Sequence, residues 1–111
     1  MKLLTRKILA ALPKFNATED IPWAEKLVIC KFFISFSDLA WYVFEGEWSE
    51  ELGSYEFFGY MQGLENSFEY FSLLELENIF SLTGLGVMRD IRVFKQPFKQ
   101  LVDPKEYARN S

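Results

Sequence analysis

The sequence predicts an α+β protein: an antiparallel meander of about four to five short strands, with an N-terminal helix and a second helix near residues 73–80. Two observations carry this. Runs rich in β-branched and aromatic residues, "KLVICKFFI" (26–34), "AWYVFEGE" (40–47) and "YEFFGYMQG" (55–63), follow one another across turn-sized breaks, whereas parallel pairing needs long crossovers. Ser72, with Glu75 three residues later, opens a stretch of helical spacing as a capping box. The chain has 111 residues, half of them apolar and a quarter charged. That composition is globular, and the length suits one domain, because two halves would each be too small to bury a core.

Taken in order, Thr5 caps a helix over about 6–12, with Ile8, Leu9 and Leu12 on one stripe and Pro13 past its end. Arg6 and Lys7 interrupt the apolar start, so it reads as an amphipathic helix of the mature protein rather than a signal peptide. The polar connection "KFNATEDIP" leads to the first strand, "SFSD" turns into the second, and "WSEELGS" turns into the third. Gly59 inside the third strand predicts a bulge or a close backbone approach. A short "EYF" strand runs into "SLLELENIF", where Leu73, Leu76 and Phe80 repeat at helical spacing. After "TGLG", "MRDIRVF" gives a last strand with Arg89 beside Asp90. Pro97 closes the domain at 1–97, and 98–111 reads as a polar C-terminal tail with one helical turn after Asp103.

Several kinds of chemistry are excluded by residue type. The chain has no histidine and one cysteine, Cys30. Ser-His and Cys-His nucleophile systems therefore cannot form, nor can the usual zinc sites or an internal disulfide. Cys30 lies mid-strand and reads as a small core residue. The cluster Glu45, Glu47, Glu50 and Glu51 has no cation-loop spacing. The expectation is a protein that is not an enzyme and has no metal or cofactor. No apolar run reaches the roughly 20 residues that span a bilayer, so the expected location is the cytoplasm, without membrane contact.

Two features point to binding. Aromatic residues make up 18% of the chain. Strand alternation places Trp41 and Val43 on one face and Tyr42 and Phe44 on the other; Tyr55, Phe57 and Met61 likewise oppose Phe58 and Tyr60. Both faces carry rings, and two short helices cover only one. Either loops and the tail cover the second face, or it is an exposed aromatic patch for a partner. Charge is also segregated: residues 32–88 hold ten acids and no base, while the rest hold six acids and all twelve bases. Phosphate is repelled from such a block and a basic protein is attracted to it. Solvation of the face, or internal pairing with the basic ends, is the plainer account.

The segments "MKLLT", "LPKFNATED", "KFF", "WYVFEGE", "FFGYMQGLE", "YFSLLELE" and "GLGVMRDI" span about residues 1–95. In these the chain resembles a family of small bacterial proteins grouped as a domain of unknown function and met on plasmids, phages and other mobile elements. The resemblance implies no catalytic motif. By analogy with other small acidic proteins of mobile elements, it implies action against a host nucleic-acid-targeting defence.

The leading expectation is a protein-binding module for a basic partner, such as a host nuclease or other nucleic-acid-handling protein. Glu45, Glu47, Glu50, Glu51 and Glu56 would stand in for phosphates, with Trp41, Trp48, Tyr55 and Tyr60 as buried anchors. One alternative is a homodimer closed by the aromatic face, serving as an accessory protein. Another is weak nucleic-acid binding through the basic ends, by Lys2, Arg6, Lys7, Arg89, Arg92 and Lys95.

Overall fold

The computed structural model describes residues 2–63 and 65–107, with the backbone alone for residues 80–83. The element order is helix α1 (Arg6–Ala11), strands β1 (Leu27–Val28), β2 (Cys30–Ile34), β3 (Ala40–Ser49), β4 (Ser54–Gln62) and β5 (Ser67–Ser72), helix α2 (Leu73–Thr83), and strands β6 (Val87–Arg89) and β7 (Gln96–Pro97). The fold is α+β. Five antiparallel strands form the main sheet in the order β5-β4-β3-β2-β6, and β1 pairs with β7 in a separate two-stranded ribbon.

The meander from β2 to β5 follows the sequence prediction, and both predicted cap hydroxyls accept from the first turn of their helix. Ile8 N–H donates to Thr5 Oγ1 at 3.2 Å, and Glu75 N–H donates to Ser72 Oγ at 3.1 Å. Leu76 is buried as the spacing requires; the Phe80 side chain lies outside the described residues. At Gly59 an added Cβ would stand 1.9 Å from the Tyr42 carbonyl oxygen, so the close approach is real. The bulge sits on the facing strand, where the register shifts between Val43 and Glu45.

Three expectations are corrected. The run 26–34 is two strands, because β1 turns away to pair with β7 while β2 enters the main sheet. The last strand ends at Arg89 rather than running to 94. There the Asp90 carboxylate accepts from Arg92 N–H at 3.0 Å and Val93 N–H donates to the Asp90 carbonyl at 3.1 Å, which closes a turn. The chain after Pro97 is not a polar tail as far as residue 107: Phe98, Val102 and Tyr107 are buried. The one-turn helix after Asp103 is present at Pro104–Glu106, and residues 108–111 lie outside the description.

Strand alternation sorts the rings onto two faces as expected. On the first face Trp41, Val43, Phe57 and Phe71 pack with Ile8 of α1 and Leu76 of α2. On the second face Tyr42, Phe44 and Tyr60 pack with Phe98, Val102 and Tyr107, and Trp23 lies against them. Phe98 meets Phe44 and Tyr60 edge-on, each at 5.1 Å between ring centroids, and stacks on Tyr107 at 4.4 Å. The second face is therefore covered by one-turn 3-10 helices, Trp23–Glu25, Phe98–Gln100 and Pro104–Glu106, and the coil that joins them.

Candidate binding surfaces

Past the bulge near Phe44, Glu45 and Glu47 join Glu56 of β4 on the second face beyond its aromatic cluster, where the 13–18 segment crosses Glu45 and Glu47. Glu45 is 4% exposed. Its carboxylate accepts from Asn16 N–H at 2.9 Å, Thr18 N–H at 3.0 Å and the Thr18 hydroxyl. Lys26, also 4% exposed, donates to the Thr18 carbonyl and, at 2.9 Å, to Thr18 Oγ1. Burial pushes the Lys26 ammonium below its ordinary pKa, while the charges of Glu45, Glu19 and Asp20 pull it back up. Glu47 accepts from Phe15 N–H at 3.4 Å, and Gly46 N–H donates to the Pro13 carbonyl at 2.9 Å. This part of the acidic block pins a loop.

The residues expected to form a partner surface therefore separate. Trp41 and Tyr60 are core side chains and Glu45 is internal; none can anchor a surface partner. The reason is coverage: α1 and α2 pack over Trp41 on the first face, while residues 16–18 close over Glu45 and residues 98–107 over Tyr60 on the second. Trp48 is 49% exposed, and its ring meets Tyr55 edge-on at 5.2 Å. Glu50 and Glu51 are exposed at the β3–β4 turn, and Glu47 lies directly opposite Glu56 on the paired strands. Like charges so placed repel. Ser54 Oγ accepts from Leu74 N–H at 3.1 Å, which ties the first turn of α2 to the hairpin. Exposed Leu52, Leu74 and Glu75 thereby join Trp48, Glu50 and Glu51 on one rim.

The basic ends also gather. Lys7 Nζ lies 4.2 Å and Lys95 Nζ 5.8 Å from the Phe94 ring centroid. Arg89 Nη1 donates to the carbonyls of Lys2 at 2.6 Å and Leu3 at 3.3 Å. Lys2, Lys7, Arg89 and Lys95 thus belong to one region around α1 and Phe94. Arg6 is exposed on α1, and Arg92 instead pairs with Asp90 at 3.1 Å.

One surface residue carried no signal in the sequence reading. Phe36, in the β2–β3 turn, is 107% exposed and has a φ of 61°, a left-handed conformation that a bulky side chain rarely adopts. An aromatic ring between two turn-forming serines was the available clue. Cys30 is buried, and burial pushes its thiol up to about 12, which removes the thiolate needed for nucleophilic attack. Among the described residues no helix is long and apolar enough to cross a membrane. Compared with known protein families, curated proteins and solved structures, the chain matches none.

Proposed function

We propose that the protein is a non-enzymatic binding module that docks a basic, nucleic-acid-handling protein on the rim of the β3–β4 hairpin and the start of α2. The observation that carries this reading is the half-exposed Trp48, braced by Tyr55 and flanked on the rim by the exposed Glu50, Glu51 and Glu75, within a span, 32–88, that holds no base. Trp48 supplies the anchor, with Leu52 and Leu74 beside it. The carboxylates steer a positively charged surface and occupy the positions that phosphates would take on it. The resemblance of the chain's segments to small proteins of plasmids and phages supports a host target that acts on nucleic acid, inhibited by occupation of its basic surface.

The test is capture from host lysate with tagged protein, with and without nuclease, followed by association kinetics with the purified partner. Capture that survives nuclease is expected. Glu50→Lys with Glu51→Lys should then slow association roughly tenfold at low salt. Unchanged kinetics in the charge-reversed protein would overturn the reading. The gathering of Lys7 and Lys95 around Phe94, with Lys2 tied to Arg89 through its carbonyl, favours a second reading, nucleic-acid binding through the basic ends. Loss of every partner on nuclease treatment would select it.

A further inference from the structure

A separate cleft of about 470 Å³ opens between the 16–26 segment and strands β4 and β5, a volume typical of ligand sites. Its walls are apolar and aromatic: Ile21, Trp23, Phe58 and Tyr70. Tyr70 is 57% exposed and leans on Phe58 at 5.0 Å and Phe15 at 5.4 Å between centroids, so its ring is fixed in place yet open to solvent. At the floor, Lys26 and Glu45 have opposite charges and hydrogen-bond partners of their own on Thr18. Glu19 and Asp20 also line the cleft, and both are exposed. With the floor pair cancelling, two carboxylates set the charge.

We propose that this cleft is a socket for a guanidinium group, filled by an arginine side chain that a partner presents. A guanidinium is planar and weakly hydrated; it stacks on rings and bonds to carboxylates through two parallel N–H donors. Tyr70 and Phe58 offer the rings, and Glu19 and Asp20 the carboxylates. An anion is repelled by those same carboxylates. An ammonium has no plane to stack and gives up a tighter hydration shell on entry. The socket has its own walls and does not depend on the hairpin rim, although an arginine-bearing partner agrees with the basic partner proposed there.

The experiment is a two-dimensional amide NMR titration of the full chain with the peptide Ac-Gly-Arg-Gly-NH2. Saturable shifts are expected at Trp23, Phe58 and Tyr70. The lysine peptide should bind roughly fivefold more weakly, and the glutamate peptide should give no shifts. Tyr70→Ala should weaken arginine binding roughly fivefold, as should the exposed pair Glu19→Gln with Asp20→Asn, which leaves the core untouched. Glu50→Lys with Glu51→Lys should leave it unchanged, which separates the socket from the hairpin rim. No saturable shift, equal shifts with the glutamate peptide, or binding indifferent to both socket variants would each overturn the proposal. Agmatine binding more than tenfold more tightly than the arginine peptide would assign the socket to a free guanidine and overturn the partner side chain as occupant.

Discussion

On one face of the sheet the rings of Trp41, Phe57 and Phe71 meet two α-helices; on the other, those of Tyr42, Phe44 and Tyr60 meet the Trp23 turn and residues 98–107. A helix arrives with its backbone groups already paired. Single 3-10 turns joined by coil pair only part of theirs, and the remaining buried N–H and C=O groups must find partners individually. That is the work of the buried polar residues on the second face. Glu45 takes the donors of Asn16 and Thr18, Lys26 takes the Thr18 carbonyl, and Phe98 N–H donates to the Lys26 carbonyl at 2.9 Å. Charges that resemble a functional site in the sequence are, at these positions, what makes a loop-covered face possible.

The comparison is tested most severely by deleting one ring from each face. Phe57 lies between Phe32 and Phe71 at 6.0 and 5.6 Å, and Phe98 among Phe44, Tyr60 and Tyr107. Phe57→Ala and Phe98→Ala should each lower unfolding stability by about 3–5 kcal/mol in urea titrations. Equal costs mean that the irregular cover is as integral as the helices. A loss below about 1 kcal/mol for Phe98→Ala, within the range of a surface change, would make residues 98–107 an appendage and break the comparison.

A smaller effect is expected at the buried carboxylate. Glu45→Ala leaves the N–H groups of Asn16 and Thr18 without their acceptor and Lys26 without the negative charge that acts on it most strongly. The expected loss is about 3 kcal/mol. Hydrogen exchange should show lost protection at residues 16 and 18 while the amides of β4 paired to β5 stay protected. Glu50→Ala, five residues on and exposed, should stay within about 0.5 kcal/mol of the parent. Similar losses at the two positions would mean that Glu45 pins nothing.

What was legible in the sequence follows the same division. The meander, both helix caps, the facing of Trp41 against Tyr42 and the tight approach at Gly59 could be read because each depends on a period or on a local rule. Cover of the second face by loops and the tail was one of two accounts left open; which residues of 14–26 and 98–107 provide it could not be read, because single turns and coil have no period. Its signature was hidden in residues read otherwise: Glu45 as a surface charge, Phe98 as the start of a polar tail, Tyr60 as an anchor. Lys26 counted as the first residue of a strand run and one base among twelve, although it is buried, and that burial lowers its pKa. Of the expected partner surface, Trp48, Glu50 and Glu51 remain exposed because they occupy the hairpin tip, beyond the reach of either cover.

The smallest effect lies at Asp90, where the chain leaves β6 and starts toward the second face. Its N–H donates to the Lys31 carbonyl at 2.9 Å, and its carboxylate accepts from Arg92 N–H at 3.0 Å, Nε at 3.1 Å and Nη2 at 3.1 Å. The bond from the Arg92 side chain holds the Asp90 carboxyl below its ordinary pKa, against the opposing pull of burial. The sign follows from linkage. A depressed folded-state pKa gives stability that is present above the unfolded value of about 3.9 and is lost as pH falls through the lower folded value. Asp90→Asn keeps an acceptor for Arg92 N–H and removes the charge. The stability gap between parent and variant should therefore be constant from neutrality to about pH 5 and close on further acidification. Because Arg92 is exposed, added salt should also narrow the gap. A gap of the same size at pH 3 and pH 7 would show that Asp90 contributes turn geometry alone, and that the entry to the second face is held without charge.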